Sequence, residues 1–362
     1  MFATPLITRS LRLIDLFAGI GGMTCGFVRA STPELKYEPL FAVELEEPLA
    51  AIYRANFGDH VHQGDITDVE EFPQADVLIG GPPCQGFSPL GRDRDSVSRV
   101  ALNSLWRHFV RGLEQSGPYV FVMENVPELL RSAEYERFKA LVGPSGLGYS
   151  IREDVLLAAD FGVPQLRRRA IVIGSRVGPP PWPTPTHTPD SYVTVREALK
   201  RLPLEPHGRQ WHRARPNIRP SSIERYKAVP EGGNRFDLAR NRPDLLPRCW
   251  REKPTGTTDV FGRLWWHRPA FTIRTEFYKP EKGRYLHPEA QRPITVREAA
   301  YLQSFPGRHA KPPRGFLFPE HLPMTLVAKG IGNAVPPKLA QAIARAVADH
   351  LLERAEPALK AA

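Results

Sequence analysis

The sequence predicts an α/β fold with a doubly wound, Rossmann-like sheet domain and a second, smaller irregular domain. Short apolar runs typical of buried parallel strands alternate with helix-compatible segments over the first half of the chain. From about residue 178 proline, arginine, tryptophan and histidine become frequent and hydrophobic periodicity is poor. A length of 362 residues leaves room for one large domain and one small one.

The first strand, glycine turn and helix indicate a site for a nucleoside-type ligand. An apolar strand at 11–17 runs into a glycine turn at 18–22 and a helix that ends near Ala30. The order Phe-x-Gly-x-Gly-Gly at 17–22 differs from the dinucleotide pattern Gly-x-Gly-x-x-Gly, and no Lys-Ser/Thr follows as in a P-loop. The ligand expected here therefore lacks a pyrophosphate.

Two carboxylates follow the next two strands. The strand 39–43 ends in Glu44, which could accept both hydroxyls of a ribose. Taken by itself, Glu44 would more often be an acid at the start of the helix 46–56. Asp65 could accept from an adenine amino group, with the apolar Ile66 beside it for the ring face, although Gly64-Asp65 alone indicates only a turn.

Cys84 is the candidate nucleophile. It follows the buried strand 75–79 in the sequence Gly-Gly-Pro-Pro-Cys-Gln-Gly-Phe-Ser at 80–88, where two prolines stiffen the turn. The alternative is a small buried hydrophobe, the usual state of a free cysteine. After a helix at about 102–115, the strand 119–123 ends in Glu124 and is expected beside the Cys84 strand, which would let the carboxyl act with the thiol.

Three polar side chains lie between a closing pair of strands, 151–160 and 170–174. Alternation in an extended segment puts Gln165, Arg167 and Arg169 on one face, suited to a phosphate or a base carbonyl near the thiol. As a charge run alone the segment would be surface. A final helix at about 338–352 carries an apolar stripe predicted to pack back on the sheet domain, formed by Leu339, Ile343, Val347 and Leu351.

Charge and composition favour an intracellular protein with a polyanionic partner. The net charge is +10 and the pI about 9.6, and residues 190–267 hold 16 Lys or Arg against nine Asp or Glu. The alternative for this segment is an ordinary solvated surface. Three cysteines without Cys-x-x-Cys spacing argue against disulfides and a cysteine zinc site, and neither a signal peptide nor a membrane span is predicted.

These motifs, in this order, resemble the DNA (cytosine-5)-methyltransferases of bacterial type, whether restriction-modification or orphan enzymes. The set of Pro-Pro-Cys, Glu-Asn-Val and Gln-x-Arg-x-Arg is the most specific part of the resemblance. The matching segments are Asp15 to Gly22, Glu44, Asp65, Gly81 to Ser88, Glu124 to Val126, Gln165 to Arg169, Arg268 to Ile273, Arg297 to Pro306 and Gly332 to Pro337.

The resemblance implies an S-adenosylmethionine-dependent methyltransferase domain, 1–177 with 268–362, and a target-recognition domain at 178–267. It implies Glu44 on the ribose, Asp65 and Ile66 at the adenine, and Pro83 between cofactor and substrate. The implied catalytic residues are Cys84, Glu124, Gln165, Arg167 and Arg169. The implied cofactor-binding residues are Asp15, Phe17, Gly19, Gly21, Gly22, Glu44, Asp65, Ile66, Gly81, Pro83 and Asn333; no metal is expected.

The resemblance also implies the reaction and the partners. Cys84 would add to carbon 6 of a flipped cytosine in double-stranded DNA, with Glu124 at N3 and Arg169 at O2, and carbon 5 would take the methyl group. A monomer in the cytoplasm, associated with the nucleoid, is expected, without a membrane and without stable binding to a cognate restriction endonuclease. The alternatives are a transfer-RNA cytosine-5 methyltransferase and a DNA-binding protein with vestigial catalysis.

The arginines of the recognition segment are the candidates for reading DNA in the major groove. Their division between phosphates and guanine edges is left open by the sequence. They are Arg209, Arg213, Arg215, Arg219, Arg225, Arg235, Arg240 and Arg242.

Overall fold

A computed structural model describes residues 9–83, 105–205, 218–252, 255, 257–307 and 315–354. The chain divides into two compact units. The first, called here the sheet unit, comprises Met1–Phe161, Arg168–Thr186 and Ala334–Ala362. The second unit comprises Gly162–Arg167 and His187–Asn333.

The sheet unit contains a seven-stranded sheet in the order β3-β2-β1-β4-β5-β8-β6. The first five strands along this order pair in parallel, whereas β8 is antiparallel to both of its neighbours. The strand order reverses direction between β1 and β4, which is the position where doubly wound sheets bind ligands. The strands are β1 (Arg9–Leu16), β2 (Leu35–Glu44), β3 (Val61–Gln63), β4 (Val77–Gly80), β5 (Val120–Asn125), β6 (Ser150–Leu157) and β8 (Arg168–Ser175).

The predicted α/β class and the Rossmann-like sheet are confirmed. Every residue of β4 and of β5 is buried, as expected for parallel strands covered on both faces. The predicted neighbourhood of the Cys84 strand and the Glu124 strand is also confirmed, because β4 pairs with β5 and Gly80 lies opposite Met123. Residue 81 therefore leaves the sheet beside Glu124, which is still part of β5.

Helices cover this sheet. They are α1 (Gly22–Ala30), α2 (Glu47–Phe57), α3 (Trp106–Ser116), α4 (Ala133–Val142) and, after the second unit, α11 (Pro337–Arg354). The final helix, α11, contacts β2 and α1. Its stripe is buried, the hydroxyl of Tyr37 on β2 donates to the carbonyl oxygen of Ala344, and a methyl group added at Gly26 of α1 would lie 2.4 Å from Ala340 Cβ.

The second unit consists of short elements. Its helices are α5 (Val195–Leu199), α6 (Pro220–Lys227), α7 (Arg235–Asn241), α8 (Arg248–Glu252), α9 (Val296–Leu302) and α10 (Met324–Asn333). Two-stranded pairs join β7 (Gln165–Leu166) to β10 (Ala270–Phe271) and β9 (Gly262–Arg263) to β11 (Arg284–Leu286). The segment predicted as irregular thus contains helices too short to give a hydrophobic period, and α5 and α7 begin at capping boxes.

Buried arginines tie the loops of the second unit together. The guanidinium of Arg263 donates to the carbonyl oxygens of Tyr226, Val229, His287 and Ala290, and burial lowers the pKa of Arg263 to about 10. Arg235 is buried as well. Part of the positive charge counted in residues 190–267 is therefore internal rather than surface charge.

The boundaries of the compact units differ from those of the predicted domains. Residues 162–167 and 268–333, predicted to belong with the cofactor-binding part, group with the second unit. Residues 178–186, predicted to belong to the recognition domain, group with the sheet unit. The functional division at 178–267 concerns DNA reading and stays a prediction. Among the described residues, no helix combines the length and the apolar character needed to cross a bilayer.

Candidate active site and cofactor edge

The candidate site is built on the carboxyl ends of β1 to β5. Leu16 is paired with Val43 on one side and with Gly80 on the other, so the loops that follow these strands leave the sheet together. Most of the predicted cofactor-binding residues lie in these loops. The topology therefore places them at one edge, as the sequence predicted.

The turn after β1 curls tightly. Phe17, Gly19 and Gly21 all have positive φ, at 61°, 58° and 81°. Such a conformation is costly for phenylalanine and marks a turn held by its surroundings. Gly21 is the N-cap of α1, and a methyl group added to it would lie 2.3 Å from the Phe57 ring. A methyl group added to Gly22 would lie 2.5 Å from the carbonyl oxygen of Val335. These glycines let the turn, α2 and the chain after residue 333 approach closely.

Gly19 differs from the other two glycines because the space beside it is open. A Cβ built on Gly19 meets no atom of the described residues within 4 Å. Its N–H donates to Glu44 Oε2 at 2.8 Å, and the N–H of Glu46 donates to Glu44 Oε1 at 2.9 Å. The carboxylate of Glu44 is thereby fixed next to the open side of the turn. A carboxylate oxygen has more than one lone pair, so one hydrogen bond does not by itself exclude another.

Asp65 and Ile66 form the third loop of this edge. Asp65 caps a 3-10 helix (Ile66–Asp68) by accepting from the N–H of Thr67 at 2.9 Å, and hydrogen bonds from Thr67 lower the pKa of Asp65. Ile66 is buried. Leu45, directly after Glu44, is 61% exposed and adds an apolar surface that the sequence reasoning missed.

Asp15 lies beneath the turn. Its Oδ2 accepts from the hydroxyl of Thr24 at 2.5 Å, and that hydroxyl lies 3.4 Å from the hydroxyl of Tyr53. Burial raises the pKa of Asp15 to about 7, against the opposing effect of the Thr24 hydrogen bond. The carboxyl thus joins β1 to α1, an arrangement that the sequence reasoning did not contain.

The proline turn after β4 is anchored at both sides. The N–H of Gly81 donates to the carbonyl oxygen of Leu16 at 3.3 Å, and the side-chain amide of Asn125 donates to the carbonyl oxygen of Pro82 at 2.9 Å. Pro83 is the last described residue of this turn, and Cys84 lies outside the described residues. Asn125 was part of the motif quoted above, but only its contact with Pro82 gives it a role.

Glu124 and Arg169 form an ion pair beside this turn. Arg169 Nε lies 2.7 Å from Glu124 Oε1, and the two side chains are 17% and 10% exposed. The pair is possible because Ile171 lies opposite Glu124 in the β5–β8 ladder and Arg169 is two residues away on the same face. A methyl group on Gly81 would lie 3.3 Å from Glu124 Oε2, so the carboxylate borders the turn directly.

The three residues predicted to share a face fall in two different compact units. Gln165 and Arg167 are buried in the second unit, whereas Arg169 lies on β8 in the sheet unit. Gln165 Nε2 donates to the carbonyl oxygen of Leu302, and Arg167 donates to the carbonyl oxygens of Ile273 and Gly332 at 3.1 and 3.0 Å. The predicted catalytic roles of Gln165 and Arg167 stay predictions, but these contacts hold backbone segments.

Asn333 is the exposed last residue of α10 and belongs to the second unit, so its cofactor role also stays a prediction.

The candidate DNA-contacting arginines fall into three groups. Arg209, Arg213 and Arg215 lie outside the described residues. Arg235 is buried, and the Nε of the half-buried Arg225 donates to the carbonyl oxygen of Leu245. Arg219 is exposed, as are Arg240 and Arg242, which are paired with Asp237 and Asp244.

The chain is similar to known proteins over most of its length. The family model described as C-5 cytosine-specific DNA methylase matches residues 11–349. The Type II methyltransferase M1.HphI of Haemophilus parahaemolyticus is 36% identical over 360 residues, which cover 93% of this chain and 87% of that protein. The Type II methylase M.HgiDII of Herpetosiphon aurantiacus is 29% identical over 350 residues, covering 92% and 94%.

Among solved structures, similarity extends over the whole fold. A prophage-encoded E. coli protein named as a DNA modification methyltransferase has a TM-score of 0.61 at 26% sequence identity. The match covers 94% of this chain and 99% of that one. The similarity therefore includes both compact units.

Proposed function

Because the chain belongs to the C-5 cytosine-specific DNA methylase family, we propose that it methylates carbon 5 of a cytosine within a specific double-stranded DNA sequence through covalent attack by Cys84. The chain is an enzyme of the DNA methyltransferase class, and its family uses S-adenosylmethionine. The observation that carries the mechanism is the ion pair of Glu124 and Arg169 beside the proline turn that leads into Cys84.

The residues at the cofactor edge fit S-adenosylmethionine. The open side of Gly19, the Glu44 carboxylate and the exposed Leu45 offer space, hydroxyl acceptors and an apolar face, which a nucleoside requires. In this proposal Glu44 binds the ribose, and Asp65 accepts from the adenine amino group beside Leu45 and Ile66. S-adenosylmethionine, when bound, supplies an electrophilic methyl group.

The protein side chains have to make carbon 5 of cytosine nucleophilic. Addition of the Cys84 thiolate forms a bond from sulfur to carbon 6 and pushes electrons toward N3 and O2. Glu124, in its protonated form, donates a proton to N3, and Arg169 stabilises the charge at O2. After methylation a base removes the carbon-5 proton, the carbon–sulfur bond breaks and expels the Cys84 thiolate, and N3 returns its proton to Glu124. A base buried in duplex DNA must leave the helix first.

Gln165 and Arg167 act as positioning residues in this proposal. Their donors bind backbone carbonyl oxygens of the second unit, and they lie in sequence close to Arg169. We assign the selection of the DNA sequence to residues 178–267. The enzyme is proposed to act as a monomer on cytoplasmic, nucleoid DNA, in parallel with any restriction endonuclease for the same sequence rather than bound to it.

Methyl incorporation into duplex DNA and transfer RNA, measured with the wild type and Cys84→Ala, tests the proposal. Cys249→Ala is the matched control because Cys249 is exposed and lies in the second unit. The expected result is methylation of DNA only, abolished by Cys84→Ala and kept by Cys249→Ala. A duplex with 5-fluorocytosine should trap the wild type covalently, because fluorine cannot leave as a proton does.

Each alternative has its own outcome. Preferential methylation of transfer RNA would identify an RNA methyltransferase, and sequence-specific DNA binding without methyl transfer would identify a protein with vestigial catalysis. Substantial activity of Cys84→Ala would exclude the covalent mechanism.

A further inference from the structure

Helix α3 contacts the loop after β3, residues 65–74, through Arg111. Neither the motifs nor the proposed mechanism uses this residue. Arg111 Nη2 donates to the carbonyl oxygen of Ile66 at 2.7 Å, and Nη1 donates to that of Val69 at 2.6 Å. The guanidinium carbon lies 4.9 Å from the centre of the Phe72 ring. One planar side chain thus fixes three positions of the loop that follows Asp65.

A second residue of the same helix completes the attachment. Gln115 lies one turn after Arg111, and its side-chain oxygen accepts from the N–H of Phe72 at 3.1 Å. The carbonyl oxygen of Gln115 accepts from the side chain of Gln74 at 2.6 Å. The segment from Ile66 to Gln74 is therefore held along its length by one face of α3.

The contact with Arg111 fixes the part of the loop that faces a ligand. The carbonyl oxygens of Ile66 and Val69 belong to the short helical turn that Asp65 caps, and such terminal carbonyls need donors. A guanidinium is suited to this task because its planar fork reaches two acceptors at once. Ile66 directly follows Asp65, and Thr67, which donates to the Asp65 carboxylate, lies between the two carbonyl oxygens that Arg111 holds.

We propose that Arg111 is a positioning residue that sets the adenine selectivity of the cofactor site. The inference rests on the proposed role of Asp65 and Ile66 at the adenine. Arg111 acts through the loop: it keeps Asp65 where its carboxylate meets the amino group of adenine, with Ile66 packed beside it. A site held in this way favours adenine over a purine that carries a carbonyl oxygen in place of the amino group.

Calorimetric binding of S-adenosylhomocysteine and S-inosylhomocysteine tests the inference. The variants are Arg111→Met, which keeps an apolar stem over Phe72 without donors, and Arg107→Met as the matched control. Arg107 is exposed on the same helix, and its guanidinium carbon lies 5.7 Å from the Trp106 ring centre. Arg111→Lys retains the charge but not the fork, and it serves if Arg111→Met does not fold.

We expect Arg111→Met to weaken S-adenosylhomocysteine binding about tenfold, equivalent to about 1.4 kcal/mol. The binding preference for the adenine compound over the hypoxanthine compound should shrink at least fivefold, and Arg107→Met should match the wild type. A lower melting temperature with an unchanged preference would overturn the inference and leave Arg111 a purely structural residue. Failure of the wild type to bind S-adenosylhomocysteine would instead refute the proposed cofactor site.

Discussion

Replacing Glu124 by glutamine tests the proposed chemistry most directly, because it keeps the shape of the side chain and removes its acid function. A positioned proton donor contributes about 10²–10⁴-fold to a rate, which corresponds to roughly 2.7–5.4 kcal/mol of barrier. Glu124→Gln should therefore slow the single-turnover methylation of duplex DNA by that factor. Binding of cofactor and DNA should be retained, because the residue borders the proline turn without contributing to the loops after β1, β2 and β3.

The same substitution affects stability through Arg169. Breaking a fully buried ion pair costs roughly 3–5 kcal/mol, and breaking an exposed one costs about 0–1 kcal/mol. With exposures of 10% and 17%, the pair of Glu124 and Arg169 lies nearer the buried limit. Because glutamine still accepts a hydrogen bond, we expect a loss of about 1–3 kcal/mol in the free energy of unfolding.

Rapid-quench methylation with enzyme in excess over DNA measures the chemical step, and denaturant unfolding measures the stability. Glu128→Gln is the matched control, since Glu128 is exposed just beyond the same strand. A single-turnover rate of Glu124→Gln within threefold of the wild type would refute proton donation by Glu124. The residue would then serve only to orient Arg169.

Three further predictions concern Asn125, Asp15 and Arg219. Asn125→Ala removes the donor to the carbonyl oxygen of Pro82, and a buried acceptor left without a partner costs roughly 1–3 kcal/mol. The melting temperature and the yield of 5-fluorocytosine trapping should therefore both fall. Unchanged trapping would contradict the role of the contact. The folded-state pKa of Asp15, raised to about 7 by burial, makes the wild type lose stability as pH rises from about 4 to 7, because the folded protein resists ionisation of this carboxyl. Asp15→Asn, which still accepts from Thr24, should flatten that dependence in melting curves at pH 5 to 8, and an unchanged slope would exclude Asp15 as its source. Arg219 is exposed; if it binds a phosphate, Arg219→Ala should lower the salt slope of DNA binding by about one unit on cognate and random duplexes alike, whereas a loss of roughly 1–3 kcal/mol on the cognate duplex alone would identify a base contact.

The order of elements and the identity of the site loops could be predicted from the sequence because the signals are local. A buried parallel strand is a short apolar run, and the residues that follow it lie at the sheet edge whatever the rest of the chain does. This is why Glu44, Asp65 and Glu124 were assigned correctly to strand ends. The short helices of the second unit carried local signals as well, in the capping boxes at Thr194 and Asn234, but they are too short for periodicity to reveal.

The partners of the polar side chains were decided by the tertiary structure. Alternation predicts one face for Gln165, Arg167 and Arg169, and this stays a prediction; Arg167 lies between β7 and β8. Arg167 meets the carbonyl oxygens of Ile273 and Gly332, which are 106 and 165 residues away in the sequence. No local pattern encodes an acceptor at that distance, because the backbone of the partner only takes up its position when the second unit folds.

The tertiary structure also decided which positive charges of the recognition segment are buried and which are exposed. The sequence by itself determined that residues 190–267 are rich in arginine. Only the tertiary structure decided that Arg263 and Arg235 are internal while Arg219 faces solvent. A guanidinium can be buried when backbone carbonyls converge on it, as four do on Arg263, and that convergence is a property of the folded loops rather than of any stretch of sequence.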